Sequence, residues 1–297
     1  IPTPPTSPNN TLPYSAGATS EASTLPSAFA ARAGAVAFTL GSKAFVGTGY
    51  TNDQASTTSV KDFWEFDGVT WARLPALPDG FINRFHATAF VLNGKAYVGT
   101  GLNADTNPNG TALGDFWEFN GTSWTQLPPL PNQFEARFGA VSFVIGNKAY
   151  VVAVEDQSFN KLKDFWEFDG TAWTQIATLP PSFPARLKAV AFTINNRAYV
   201  GTGIDAANNP INDLWEFDGT SWTRQPALPQ AFGQRDNAIT FTVRNKVYIG
   251  TGDDGTANGT RSDIWEFDGT RWTQLPAWSP NFTAREGAVA FTIDDSA

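Results

Sequence analysis

The 297-residue chain has no cysteine, no methionine and a single histidine, and only 16% of its residues are charged. Without cysteine there is no disulfide, no thiolate metal site and no thiol nucleophile. One histidine, His86, cannot build a multi-histidine metal centre. Lys and Arg number 20 against 28 Asp and Glu, a formal charge of −8. That balance excludes the clustered basic surface that nucleic-acid binding requires. No apolar run approaches the roughly 20 residues that span a bilayer, and no segment has a helical period. What is abundant is Gly, Thr, Asn and Pro, a mixture suited to strands and tight turns. Eleven Trp and 24 Phe supply the apolar surface for a large core.

The aromatics recur in register. Asp62-Phe63-Trp64-Glu65-Phe66-Asp67-Gly68 returns, with small changes, at 115–121, 164–170, 213–219 and 263–269. The first tryptophans, Trp64, Trp117, Trp166, Trp215 and Trp265, are 53, 49, 49 and 50 residues apart. A period near fifty residues marks a repeat architecture. Each unit opens on an arginine: Arg32, Arg84, Arg137, Arg186, Arg235 and Arg285. In the fourth unit, 189–194 is a short β-prone run, and Asn195-Asn196 is a hairpin turn. Residues 197–203 form a second strand ending in glycines, and 213–217 a third. Asp218-Gly219 signals another hairpin into a fourth strand at 220–224, and the prolines at 226 and 229 end the pairing. Four short antiparallel strands per repeat make one blade of a β-propeller. Trp215 and Phe217 share one face of the third strand, so the recurrent aromatics are expected to fill the space between blades.

Arg-x-x-Ala-Val-x-Phe, Ala-Tyr-Val-Gly-Thr-Gly, Asp-Leu-Trp-Glu-Phe-Asp and Trp-Thr-x-Leu-Pro follow one another in a pattern that resembles the kelch repeat. More narrowly, it is similar to bacterial secreted kelch proteins related to the galactose-oxidase propeller. The resemblance spans residues 24–297. It departs from the common pattern in a shorter turn between the third and fourth strands and in Gly-Thr-Gly where a double glycine is usual. It implies an all-β propeller of a functionally diverse family: enzymes, carbohydrate binders and protein-interaction scaffolds. The copper oxidase of that superfamily needs two histidines and a tyrosine joined to cysteine. With one histidine and no cysteine, this chain lacks that chemistry.

The expected architecture is five complete four-stranded blades plus the first strand of a sixth. The sixth unit has its first strand at 288–293, and the sequence ends at Ala297, where a second strand would follow. Residues 1–23, with prolines at 2, 4, 5, 8 and 13, read as an extended tail ahead of a propeller at 24–297. An unfinished blade leaves an open hydrogen-bonding edge. Three arrangements would complete it: a longer chain, the tail folded back within one molecule, or the tail of a neighbour donated in trans. The last makes the chain its own partner through residues 1–31 and the edge near 288–293.

Repetition also sorts candidate sites. The recurring Arg, Trp and Glu (Glu65, Glu118, Glu167, Glu216 and Glu266) are expected to be structural, with Arg and Glu paired blade to blade, for example Arg186 with Glu216. Deviations between units mark candidate ligand-facing residues. His86 follows an opening arginine, and its counterparts read as Gly34, Gly139, Lys188, Asp236 and Glu286. The third unit has Val151-Val152-Ala153-Val154 in place of Val-Gly-Thr-Gly, followed by Glu155 and Asp156. Asp253 and Asp254, with Asp263, form a weak oxygen-ligand candidate for Ca2+. No other cofactor is expected. Asn9, Asn109, Asn120, Asn258 and Asn281 head Asn-x-Thr sequons. The function expected is a non-catalytic extracellular propeller for interaction or assembly, self-assembling into a filament by strand donation. The alternative is a carbohydrate-binding propeller or a kelch-type carbohydrate-active enzyme, whose partner would be a glycan rather than another extracellular protein.

Overall fold

The computed structural model describes residues 25–52, 57–105, 107, 110–152, 154–176, 179–257, 259–276 and 282–294. The tail at 1–23 and the sequons Asn9, Asn109, Asn258 and Asn281 lie outside them. Five four-stranded antiparallel sheets follow one another along the chain. Blade one runs from its inner strand Val36–Leu40 through Lys43–Gly47 and Phe63–Phe66 to its outer strand Trp71–Arg73. Blade two is Thr88–Leu92, Lys95–Gly99, Phe116–Phe119 and Trp124–Gln126. Blade three is Val141–Ile145, Lys148–Val152, Trp166–Phe168 and Trp173–Gln175. Blade four is Val190–Ile194, Arg197–Gly201, Leu214–Phe217 and Trp222–Gln225. Blade five is Ile239–Val243, Lys246–Gly250, Ile264–Phe267 and Trp272–Gln274.

The two hairpin signals of each unit differ in outcome. Asn195 and Asn196 both take positive φ, and Ile194 pairs with Arg197 across a two-residue turn. Asp218-Gly219 does not make a two-residue turn. Phe217 pairs with Trp222, so the loop holds four residues and the fourth strand starts two positions late. The reason is local: Asp218 Oδ1 accepts from the amides of Thr220 and Ser221, at 2.8 Å each. This Asx-type loop outcompetes the tighter turn. Asn120 occupies the same exposed place in blade two, accepting from Thr122 and Ser123.

The core lies between blades, as expected for sheets with two apolar faces. Trp215, Phe217 and Trp222 of blade four pack against Phe143, Tyr150 and Phe165 of blade three, with Tyr150 and Phe217 rings 5.3 Å apart. Hydroxyls stitch the inner strands together. Ser142, Thr193 and Thr240 each donate to a carbonyl of the preceding blade: Ala89, Val144 and Ala191. The sixth unit continues this series and closes the ring. Thr292 donates to Thr242 of blade five, and Thr39 of blade one donates to Thr292 at 2.7 Å. Phe291 and Ile293 cover Ala44, Phe66 and Trp71 of blade one. Residues 288–293 thus occupy the inner place of a sixth blade, and the ring has six positions.

The third unit is shaped by its lost glycine. Gly47, Gly99, Gly201 and Gly250 each pair with the first residue of the third strand. A Cβ on Gly201 would stand 2.6 Å from the Asp213 carbonyl. Val152 carries such a Cβ, and in blade three that last pair is missing; the ladder stops at Val151 with Trp166. Beyond it, Arg137–Phe138, Val154–Asp156 and Lys161–Leu162 form a three-stranded sheet, whose counterparts in the other complete units are shorter hairpins and single bridges, such as Ala33 with Tyr50 in the first and Leu187 with Ile204 in the fourth.

Candidate functional site at the channel mouth

The repeated charges are consumed by the scaffold, in a pairing the sequence does not display. The opening arginines do not meet the third-strand glutamates. Arg186 forms a fork on Asp213, with Nη1 to Oδ1 at 2.6 Å and Nη2 to Oδ2 at 2.7 Å. Arg84–Asp115, Arg137–Asp164 and Arg235–Asp263 repeat the contact, as does Arg32 with Asp62. Each arginine also lies over the phenylalanine three residues before it, from Phe29 to Phe282, at 3.9–4.6 Å. The same aspartates accept the indole N–H of the first tryptophan, as Asp213 does from Trp215 at 2.8 Å. Gly-Thr-Gly serves this unit. Its threonine sits at positive φ and turns its carbonyl to the guanidinium: Arg186 Nη1 donates to Thr202 at 3.0 Å. The second glycine then donates to the carbonyl of the next unit's arginine, Gly203 to Arg235 for example. The blade-to-blade link is therefore main chain, while the side chain binds its own blade.

The glutamates pair instead with the cation that opens the second strand: Lys43, Lys95, Lys148, Arg197 and Lys246. Glu118, Glu216 and Glu266 also accept from Tyr97, Tyr199 and Tyr248. Burial, and after it the facing carboxylate Glu118, raises the Tyr97 hydroxyl above its ordinary value.

What varies lies at one end of the central channel. A cavity of about 330 Å³ opens there, and a second of about 210 Å³, lined by small residues of the inner strands, continues beneath it. Its rim is a ring of six residues, one per unit, each two positions after the opening arginine: Gly34, His86, Gly139, Lys188, Asn237 and Gly287. All six have φ between +50° and +64°. Their backbones link in sequence: His86 N–H donates to Gly34, Gly139 to His86, Asn237 to Lys188 and Gly287 to Asn237. This corrects the sequence alignment. The counterparts of His86 in the last two units are Asn237 and Gly287, not Asp236 and Glu286, which stand one position earlier.

That earlier position differs in chemistry between units, and only its apolar members line the cavity. Phe85, Phe138 and Leu187 occupy it in blades two to four and line the cavity. Asp236 and Glu286 occupy it in units five and six. Lys188 Nζ stands 4.0 Å from Asp236 Oδ1, and Asn237 donates to Glu286 at 2.8 Å. Burial, with the charges of Glu286 and Asp253, pushes the Asp236 carboxyl up to about 6 in spite of Lys188. Burial and the neighbouring Lys188 lower His86 to about 4, so its imidazole is neutral at physiological pH.

Of the other candidate residues, Glu155 is buried and pairs with Lys161 at 2.9 Å. Asp156 accepts from the Ser158 and Asn160 amides in its own turn. Neither lines the cavity. Asp263 holds Arg235 and Trp265, apart from Asp253 and Asp254. Asp253 accepts from Gly255, and Asp254 from Thr256 and Arg261. The three carboxylates do not converge on one cation position, and no cluster of three or more metal-ligating side chains occurs among the described residues.

Six ring positions, four-stranded blades and a buried Arg–Asp–Trp unit in each complete blade define a kelch-type β-propeller. The family model for the KLHDC2/KLHL20/DRC7 Kelch-repeats domain matches residues 124–297, and the chain belongs to the kelch-repeat family. The solved structure of YjhT is similar in fold, with a TM-score of 0.70 over 90% of this chain and 89% of that one, at 17% identity. No curated protein sequence matches the chain. Kelch propellers are interaction modules or enzyme-like propellers, and kelch domains commonly mediate protein contacts. No helix among the described residues is long and apolar enough to cross a membrane.

Proposed function

We propose that the chain is a non-catalytic extracellular interaction propeller that assembles with copies of itself by strand donation at the sixth blade. The observation that carries this reading is Arg285. It stacks over Phe282 at 4.5 Å and bonds to Thr283 like its counterparts. Yet it is exposed and, among the described residues, has no carboxylate, whereas the other five arginines each hold an aspartate. A third strand entering the sixth place would bring the missing acceptor. Strand addition of this kind supplies main-chain hydrogen bonds, with side-chain pockets for register.

The tail can be counted onto that place, with Pro13 falling at the glutamate position, where it donates no ladder hydrogen bond. In blades one to four the aspartate precedes the leucine of the Leu-Pro linker by fifteen residues: Asp62 and Leu77, Asp115 and Leu130, Asp164 and Leu179, Asp213 and Leu228. Counting back from Leu25 reaches Asn10, with Leu12 at the tryptophan position and Tyr14 at the phenylalanine position. An asparagine carbonyl accepts from a guanidinium as a carboxylate does, though less strongly. The same register also serves the tail's own molecule, because the linker through Phe29 and Arg32 leads directly into blade one. A tethered segment acts at an effective concentration of about millimolar.

Light scattering on the full chain and on a chain lacking residues 1–23 tests the reading. Assembly predicts a mass that grows with concentration, filaments by electron microscopy, and their loss on deletion. A monomer at every concentration, with unchanged mass after deletion, overturns assembly. If that monomer also melts lower without the tail, the strand is supplied within the molecule. Detection in the culture medium rather than in cell lysate tests the extracellular placement.

A further inference from the structure

We propose that Asn120 is a site of self-modification: it deamidates through a ring formed with Gly121, and its loop holds the product as ordinary aspartate. This is independent of strand donation, since the loop joins the third and fourth strands of blade two.

Five loops share one hydrogen-bond pattern and differ in one functional group. They are residues 67–70, 120–123, 169–172, 218–221 and 268–271. In each, Oδ1 of the first residue accepts from two loop amides. The N–H of that residue donates to the carbonyl three residues on at 3.3 Å, and its glycine has φ between +95° and +99°. Four of the loops begin Asp-Gly; blade two begins Asn-Gly. Asn120-Gly121-Thr122-Ser123-Trp124 otherwise repeats Asp218-Gly219-Thr220-Ser221-Trp222 of blade four. Exchanging the Asn120 amide nitrogen for oxygen therefore gives a loop whose structure blade four already shows.

The reacting groups are those the loop leaves free. Asn120 is exposed. Its Oδ1 accepts from the amides and hydroxyls of Thr122 and Ser123 at 2.9–3.3 Å, which draws charge from Cγ and makes it more electrophilic. Neither Asn120 Nδ2 nor the Gly121 N–H has a hydrogen-bond partner among the described residues. Glycine puts no side chain in the path of the attacking nitrogen, and even a Cβ there would meet only Leu40 Cδ2, at 3.7 Å. The other described Asn-Gly pair, Asn93-Gly94, is more confined. Asn93 itself is left-handed at +52° in a two-residue turn, with Nδ2 close against Gly170.

Asparagine is among the thermolabile residues. The Gly121 nitrogen gives its proton to hydroxide, bonds to Asn120 Cγ and expels Nδ2 as ammonia. Water then opens the imide. Breaking the new N–Cγ bond leaves aspartate. Breaking the bond on the main-chain carbonyl leaves isoaspartate, with one more carbon in the backbone. Nothing is oxidised or reduced, and the chain gains one negative charge.

The loop selects between the two products. Aspartate recovers every bond, and a carboxylate accepts from amides more strongly than an amide carbonyl does. In blade four the Ser221 and Thr220 amides hold the Asp218 carboxyl below its ordinary value, and Ser221 also donates to Oδ2. Isoaspartate lengthens the backbone and withdraws the carboxylate from both amides. The four Asp-Gly loops resist the same ring closure at neutral pH, because an ionised carboxylate is a poor electrophile. Hydrogen bonds from Thr171 and Thr270 and the loop amides lower Asp169 and Asp268 to about 2.

Ageing the full chain at pH 8.5 and 37 °C in oxygen-18 water, read by peptide mapping, tests the proposal. The free peptide of residues 115–126 is aged alongside. Asn120 in the folded chain is expected to convert within about tenfold of the peptide's rate. It should take up one oxygen-18 atom and end mainly as aspartate, whereas the peptide ends mainly as isoaspartate. Asn120→Asp is expected to melt no lower than the parent. The proposal is overturned if the folded chain converts more than about tenfold slower than the peptide, if isoaspartate dominates in the folded chain, or if Asn120→Asp is less stable than the parent.

Discussion

Removing the carboxylate from one Arg–Asp–Trp unit should cost far more than removing Arg285, which has none among the described residues. In blade four, Arg186 has no exposed surface and Asp213 only 7%. The guanidinium has four polar acceptor contacts, two from Asp213, one from Thr202 and one from Pro184, and lies 4.6 Å over Phe183. Asp213→Ala leaves that charge buried and unpaired, a loss of about 3–5 kcal/mol. Trp215 also loses the acceptor of its indole N–H, worth about 1 kcal/mol more. At roughly 2 °C or more per kcal/mol for a chain of this size, the melting temperature should fall by about 8 °C or more. Arg285→Met removes the same residue type from an exposed position that has no carboxylate among the described residues, and loses little beyond stacking, about 0.5–1 kcal/mol. Thermal melts by circular dichroism at pH 7, with urea unfolding as a second measure, compare Asp213→Ala, Arg186→Met and Arg285→Met. The reasoning fails if Asp213→Ala stays within about 1 kcal/mol of the parent, or if the two arginine variants are equally destabilised.

Three further outcomes are expected. Burial raises the carboxyls of Asp62, Asp115 and Asp263, but their arginine partners and the tryptophan hydrogen bonds outweigh it and hold them below the usual value. Their contribution is therefore complete above about pH 4 and lost as pH falls through the depressed values; a pH series of melts should show stability declining below pH 4, and a flat profile there would contradict the pairing. Asp236 is shifted the other way, up to about 6, so its ionisation destabilises the fold as pH rises through that value. Asp236→Asn should be more stable than the parent by roughly 2 kcal/mol at pH 7.5, with the difference vanishing below pH 4 in urea titrations. His86→Gly should relieve positive-φ strain of about 1–2 kcal/mol, less the extra freedom of unfolded glycine, about 0.5–1 kcal/mol; a small rise in melting temperature is expected, and a fall would show that His86 packing outweighs its strain.

Much of the fold was legible because a blade is a local object. Its strands are neighbours in sequence, its alternation is visible in Leu214-Trp215-Glu216-Phe217, and its Asn195-Asn196 turn is set by two residues. The Asp218-Gly219 loop was not, because an aspartate side chain can cap a longer loop as readily as it can favour a short one. The partner of Arg186 was not legible either. Arg186 lies in a linker outside the strand alternation, and both Asp213 and Glu216 recur with it in every complete unit. Only the three-dimensional path shows that the aspartate, at the start of the third strand, lies beneath the guanidinium while Glu216 faces Arg197 and Tyr199.

His86 stood out by composition and does line the channel mouth. Lys188 and Asn237 complete that rim, and the signal that finds them is their spacing of two from the opening arginine, combined with the glycines that share it. Glu155 and Asp156 stood out equally, yet one is paired with Lys161 and the other closes its own turn.

By itself, the sequence determined the repeat, the blade and the number of complete copies, because these depend on periodicity and on residues close along the chain. The tertiary structure decided which charges are spent and which remain. Closing six inner places into a ring buries five arginines on their aspartates, leaves Arg285 without one among the described residues, and gathers six positions from six units into a single rim. Separations of roughly fifty residues vanish when a ring closes, and no local pattern records which of two equally repeated carboxylates then falls within hydrogen-bonding distance.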